Sequence, residues 1–228
     1  MKKIGFIGAY DKTDLILYVS KVLEKANKKI LIIDTTVNQK SKYLVPVINP
    51  TKSYITDFEG MDIAVGFNTI EDIKRYLGLQ EEEKLDYDFV IIDTDNYESV
   101  VNFNLQSSEK IFFVTSFDAY SLKKGIEILN QINIPIHVTR IFYSKEMLKE
   151  EEDYFDYLAL GVKIIWEEEK IYFLLENGDQ MALIENQRIE KIKFKNLSSE
   201  YKDNVTFIVN NIDNQIGERQ IRNIIKNI

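Results

Sequence analysis

Several short stretches of this chain are apolar almost from end to end, and helical patterns separate them. "KKIGFIG" (2–8), "KKILIIDT" (28–35), "DYDFVIIDTD" (86–95), "KIFFVTS" (110–116) and "IPIHVTRIF" show little polar alternation. A strand with one wet face alternates apolar and polar residues, whereas a parallel strand covered on both faces does not. Between these runs, residues 12–27 carry Leu15, Val19, Val22, Leu23 and Ala26 at helical spacing, and 119–132 carry Leu122, Ile126 and Leu129. The pattern predicts an α/β fold: a doubly wound, mostly parallel sheet flanked by helices.

"KYLVPVIN" and "MDIAVGF" read as further short strands, and Thr69 with Asp72 as the cap of a helix reaching about Leu77. Past residue 140 the register changes. "KIYFLLENGDQMALI" (170–184) reads as a β-hairpin turning at Asn177-Gly178. Then come a basic stretch, a helix with Leu197, Tyr201, Val205, Ile208 and Ile212 on one face, and a last helix in "GERQIRNIIKNI". With no repeat or low-complexity tract, the simplest organisation is one domain over 1–228, its C-terminal part (141–228) added to a core in 1–140.

Composition removes several function classes. There is no cysteine and a single histidine, His137, which excludes a disulfide framework, thiolate metal sites and a His-based triad or metal cluster. A formal net charge of −8 argues against strong nonspecific DNA binding, which needs a clustered basic face. No apolar run approaches the ~20 residues of a membrane span. Met1-Lys2-Lys3 leads into a strand rather than a signal peptide, so a cytoplasmic protein is expected. The terminal helix carries Ile221, Ile224, Ile225 and Ile228 on one face, with Arg219, Arg222 and Lys226 elsewhere. The stripe is short and lacks Phe or Trp, so packing on the sheet is expected rather than peripheral membrane contact.

The chemistry is concentrated after the first strand, in "GFIGAYDKTD". A phosphate-binding loop curls consecutive backbone N–H groups around an anion at a helix N-terminus, and glycines permit the close approach. A lysine neutralises the outer phosphates, and an adjacent Ser or Thr holds magnesium. Gly8, Lys12 and Thr13 stand where such a loop needs them, although the full GxxxxGK[ST] pattern is absent. Asp34 and Asp93 end two of the apolar runs, at the carboxyl edge of the sheet where ligands bind in such folds. Each aspartate could equally cap the turn that follows it.

In order and spacing, "GAYDKT", "KKILIIDTT", "YDFVIIDTDN" and "SSEKIFFVTSFDAYSLKKGIEILNQI" resemble the ParA/MinD group of deviant P-loop ATPases over residues 2–140. The resemblance implies ATP and Mg2+ as ligands and a homodimer with a protein partner. It makes Gly8 the first loop glycine, Lys12 the phosphate lysine and Thr13 the magnesium threonine. Asp34 becomes the acid that helps activate the attacking water, and Asp93 the acid that organises magnesium. The chain also departs from the family. Ile7 stands where the signature lysine reaches the partner's phosphates, Ala9 and Asp11 replace glycines, Asp14 replaces the second threonine, and Thr36 the second acid of Asp-x-Asp.

Asp11 weighs most. A unit charge about 5 Å from a phosphate at an effective dielectric of 20 costs roughly 3 kcal/mol. Three readings follow. One is a ParA/MinD-like positioning, partitioning or assembly factor whose ATP site is eroded, with ATP and Mg2+ weakly held or lost; the TadZ-like branch is its nearest analogue. The second is a working ATPase with a variant loop. The third, a dinucleotide-binding protein, leaves Lys12-Thr13 and Asp93 unexplained. Lacking the signature lysine, a dimer is expected to form without nucleotide, with the 170–184 hairpin as its natural edge.

Overall fold

The computed structural model describes residues 1–47, 51–80, 82–145, 149–174 and 177–228. Among them the strands are β1 (Lys2–Ile7), β2 (Ile30–Asp34), β3 (Tyr54–Phe58), β4 (Met61–Val65), β5 (Phe89–Thr94), β6 (Lys110–Ser116), β7 (Ile136–Ser144) and β8 (Ile164–Leu174). They form one sheet in the order β3-β4-β2-β5-β1-β6-β7-β8, parallel everywhere except between β3 and β4. The apolar runs make up its middle, and every residue of β2 and β5 is buried. The doubly wound, mostly parallel architecture matches the sequence pattern.

The helices are α1 (Thr13–Lys25), α2 (Ser41–Leu44), α3 (Ile70–Tyr76), α4 (Tyr97–Asn102), α5 (Ala119–Asn130), α6 (Lys149–Leu158), α7 (Asn177–Arg188), α8 (Ser199–Ile212) and α9 (Glu218–Asn227). Two cores lie on opposite faces of the sheet. Leu15, Val19 and Val22 of α1 join Ala182 of α7, Val205 and Ile208 of α8 and Ile221 of α9 on one face. Ile73 of α3, Val100 of α4, Leu122 and Ile126 of α5 and Phe155 of α6 fill the other. Burial of such apolar area, at roughly 25 cal/mol per Å2, is the main force holding helices to a sheet. The last helix does bury Ile221 and Ile225, but its main contacts are with α8 and α1 rather than with the sheet. Among the described residues no helix is long and apolar enough to cross a membrane.

Two local expectations are corrected. "KYLVPVIN" is not a strand over its described part: Ser41–Leu44 form a helical turn whose first N–H is held by Asp34, and Ile48 and Asn49 lie outside the described residues. Nor do the described residues of 170–184 form a hairpin. Its first half is the end of β8, and residues 177–188 form α7. Met, Ala, Leu, Glu, Gln and Arg in that stretch favour helix, and Ala182 and Leu183 seat it on the α1 side of the core. The antiparallel ribbon is instead β3–β4, joined through Glu59 and Gly60, both at positive φ. The dimer edge attributed to 170–184 therefore has no hairpin to provide it.

Candidate functional site

The chain leaves β1 through α1 toward β2 on one side, and leaves β5 through α4 toward β6 on the other. A crevice opens where such crossovers part, at the carboxyl ends of the strands. Here it lies above β1 and β5, with Asp93 level with Phe6 on one flank and with Asp34 on the other. Gly8 turns the chain out of β1 at φ +146°, and a Cβ there would sit 2.0 Å from the Val114 carbonyl oxygen of β6. Only glycine fits. The result is a cleft of about 260 Å3, lined among others by Gly8, Asp11, Lys12, Thr13, Lys40, Asp93 and Asp95.

Lys12 does not point into open space. Its ammonium donates to the Gly8 carbonyl oxygen at 2.8 Å and lies 2.7 Å from Asp93 Oδ1, with both side chains almost wholly buried. The approach to Asp93 is off line for a hydrogen bond, so that oxygen has no aligned donor. Asp93 is therefore pulled two ways. Burial favours its neutral form and outweighs the attraction of Lys12; the nearby Asp34 and Asp11 push the same way as burial, and the carboxyl rises to about 7.

Asp11 does not pair with Lys12. Its Oδ1 accepts the backbone N–H of Thr13 at 3.1 Å, and its Oδ2 is ion-paired with Lys40. Partial burial would raise its carboxyl, but the hydrogen bond and charge of Lys40, helped by Thr13, hold it below the usual carboxylate range. Lys40 also lies 3.5 Å from Asp14, which accepts two hydrogen bonds at 2.8 Å from Gln187 of α7. A carboxylate of the chain thus sits against the first turn of α1, where a phosphate loop would leave donors for a ligand.

Asp34 is fully buried, with both oxygens engaged. Oδ1 accepts from the Thr36 N–H at 3.0 Å and hydroxyl at 2.6 Å, and Oδ2 from the Ser41 N–H at 3.0 Å. It fixes the turn from β2 into α2 and does not line the cleft. Ile7, at the position of the missing signature lysine, is wholly buried in the core beside α3–α6. Of the residues singled out in the sequence, Gly8, Lys12, Thr13 and Asp93 come together in the cleft and Asp34 stands behind it.

Lys40, Asn38, Tyr43 and Asp95 also line the cleft and were not foreseen. Lys40 in "NQKSK" carries no motif; only the fold, by setting the β2–α2 connection against the loop, reveals it. Thr13 and Asp93 are the residues that would hold magnesium, and Lys12 the one that would meet phosphate. As placed, they fit such a ligand poorly. Lys12 and Lys40 are the cleft's cations among the described residues, and both are paired with carboxylates. Against them stand Asp11, Asp93 and Asp95, so the lining sums to −1 with Asp93 ionised and to zero with it protonated. No group of three or more metal-ligating side chains converges among the described residues.

No protein-family model and no curated protein matches this sequence. Solved structures do match. A ParA family ATPase from Chlorobium tepidum TLS superposes with a TM-score of 0.59 at 13% identity, covering 90% of this chain and 96% of its own. A protein described as a plasmid partition protein of Borrelia burgdorferi B31, bound to AMPPNP, gives 0.54 at 14% identity over 100% of both chains. The MinD cell division protein of Aquifex aeolicus gives 0.53 at 15% identity, with 91% of this chain and 96% of that one covered. At these identities the likeness is one of backbone architecture, and the conclusion it supports is that the chain has the fold of the ParA/MinD ATPases.

Proposed function

We propose that this chain is a ParA/MinD-like protein with an eroded ATP site, acting as a positioning, partitioning or assembly scaffold with weak or absent ATP hydrolysis. The observation that carries this reading is the internal pairing of the cleft: each lysine lining it already holds a carboxylate of the chain, and Asp11 occupies the start of α1. A nucleotide would have to displace those carboxylates and enter a lining that offers no net positive charge. The engagement of Asp34 and the burial of Ile7 fit slow hydrolysis, because Asp34 is not free to activate a water and Ile7 brings no cation to a transferred phosphoryl group.

In this reading the chain, acting as one unit over 1–228, forms a homodimer that does not depend on nucleotide and positions a protein partner. A TadZ-like role, with an atypical loop and localisation as the task, is the closest description. The cleft, which gathers Gly8, Lys12, Thr13 and Asp93, keeps one rival: an ATPase with a variant loop, in which Mg-ATP recruits Lys12 away from Asp93. Calorimetry with Mg-ATP and Mg-ADP, followed by phosphate release, separates the two. Binding weaker than about 100 μM with no phosphate release is expected, whereas low-micromolar binding lost on Lys12→Ala establishes the rival.

A further inference from the structure

A second cavity, of about 230 Å3, lies beside the cleft and is enclosed by Tyr10, the ends of β7 and β8, and helices α7 and α8. Its wall is aromatic. Tyr10 stacks on Tyr143 with ring centroids 4.6 Å apart, Tyr143 stacks on Phe173 at 5.1 Å, and Tyr201 meets Phe173 edge-on at 5.1 Å. Leu15, Leu183 and Ile184 add aliphatic surface.

The charged groups lining it are Asp11, Asp14 and Asp179, with Lys40 the one cation among the described residues. Three carboxylates against one ammonium leave a net of −2 when all are ionised. Asp179 is held by the Ser198 N–H and hydroxyl, and Asp11 by Lys40 and Thr13. Asp14 accepts from Gln187 through both oxygens, and its cationic neighbour Lys40, which is shared with Asp11, stands 3.5 Å away.

Tyr201 supplies an independent sign of a missing ligand. The residue is only 4% exposed, yet its phenol oxygen has no hydrogen-bond partner. Buried hydroxyls are nearly always paired, and an orphan calls for a water, ion or ligand. Tyr201 lines the cavity with Asp14, and burial first, then the fields of Tyr143 and Asp14, raise its pKa well above the usual phenol value.

We infer that this cavity binds a small organic ammonium ion, an amine carried on an aromatic or aliphatic body. The body stacks in the tyrosine-lined wall, the ammonium meets Asp14, and the polar end of the ligand satisfies Tyr201. Aromatic faces beside carboxylates favour a cation over a neutral isostere. An anion meets the net negative rim, and among the described residues no three metal-ligating side chains converge to hold an ion there. The inference does not depend on whether nucleotide enters the neighbouring cleft.

The test titrates the full-length chain, without nucleotide, with phenethylammonium chloride and separately with sodium phenylacetate, which keeps the ring and reverses the charge. Saturable binding of phenethylammonium near or below about 1 mM is expected, with phenylacetate at least about tenfold weaker. Asp14→Asn should weaken phenethylammonium about tenfold, and Tyr201→Phe, which keeps the ring and removes the orphan hydroxyl, about threefold. Thermal melting reports whether each variant is folded, and Tyr201→Phe carries the test if Asp14→Asn is not. No saturable binding up to ~10 mM, equal binding of the two probes, or a folded variant that binds as the wild type does would overturn the inference.

Discussion

Helices α1 and α5 start in the same way, each leaving the carboxyl end of a parallel strand in the middle of the sheet, yet their first turns are used differently. At α5 the N-cap is Asp118, whose carboxylate accepts the Ser121 N–H at 2.9 Å and is bonded to the Ser116 hydroxyl. Burial works against that charge, but the bonds from Ser116 and Ser121 hold the carboxyl low. Helices α3, α4 and α8 follow the same rule with Thr69, Asn96 and Ser198. At α1 the N-cap is Lys12, which gives no side-chain cap, and a carboxylate arrives from one residue earlier to take the Thr13 N–H. The lesson is that Asp11 makes α1 resemble an ordinary capped helix. A helix start that could hold a ligand's anion is instead furnished with an anion of the chain.

The largest way to break the comparison is Gly8→Ala. The new Cβ would collide with the Val114 carbonyl at an unfavourable φ, and about 3 kcal/mol or more of stability should be lost, read as a drop in the urea midpoint. An unchanged midpoint would mean that the turn out of β1 is free to shift.

Next is repair of the loop. Ala9→Gly with Asp11→Gly removes the internal carboxylate and restores backbone freedom. Asp11 is half-exposed, so screening trims the full Coulomb figure, and Mg-ATP affinity should rise by about one to two orders of magnitude. Calorimetry should show that this gain disappears when Lys12→Ala is added. Hydrolysis stays slow, and Ile7→Lys is no remedy, since it would bury an ammonium in the core.

A pH series sharpens the picture around Asp93. Its carboxyl is raised to about 7 in the folded chain, from 3.8. The folded state therefore holds a proton that the unfolded chain has released, and this contribution is complete below about pH 4 and lost as pH climbs through 7. Asp93→Asn removes the titration, so its stability relative to wild type should improve with rising pH, by up to about 1.4 kcal/mol per pH unit. Parallel curves for the two proteins would show that Asp93 stays ionised against Lys12.

Smaller still are the caps. Asp118→Ala should cost about 1 kcal/mol with no effect on phosphate, whereas Asp11→Ala should cost a similar amount and improve anion binding. Inorganic phosphate titrations of the two variants make that contrast directly. The smallest change belongs to Lys12→Ala in the otherwise unaltered loop: Mg-nucleotide affinity should move by less than about threefold.

The middle of the sheet was legible because burial on both faces leaves a composition signature, seen in "ILIID" and "FVIID". Thr69 was legible for a different reason: a cap acts within its own four residues, and Thr69 does accept the Asp72 N–H. The failure at 177–188 came from trusting Asn177-Gly178, a local turn signal, over the helix formers after it. Contacts from elsewhere settle the matter: Asp179 holds Ser198, Asn186 reaches the Tyr18 hydroxyl and the Lys193 carbonyl, and Gln187 reaches Asp14. Strand β3 gave no signal because its five residues, Tyr-Ile-Thr-Asp-Phe, interrupt their apolar members with Thr56 and Asp57 and leave no apolar run to show. In the site, Gly8, Lys12, Thr13 and Asp93 could be read from spacing along the chain. Lys40 could not, because its partners Asp11 and Asp14 lie across a fold crossover and the pairing has no counterpart in sequence distance.

The place of β1 in the sheet has a consequence for how the molecule assembles. Its ladder partners are β5, beginning at Phe89, and β6, which supplies Lys110 to Phe113 and the Val114 carbonyl against Gly8. At a synthesis rate of about 5–20 residues per second, the hundred or so residues separating β1 from β6 take roughly 5 to 20 s to appear. Until β5 appears β1 has no ladder neighbour, and until β6 appears it has one at most, so the loop after it lacks the Val114 carbonyl that shapes its turn. The cleft is thus a late product of long-range strand pairing. A slow codon run or a weakened β6 would lengthen the time in which β1 is open to a holdase or to another nascent chain.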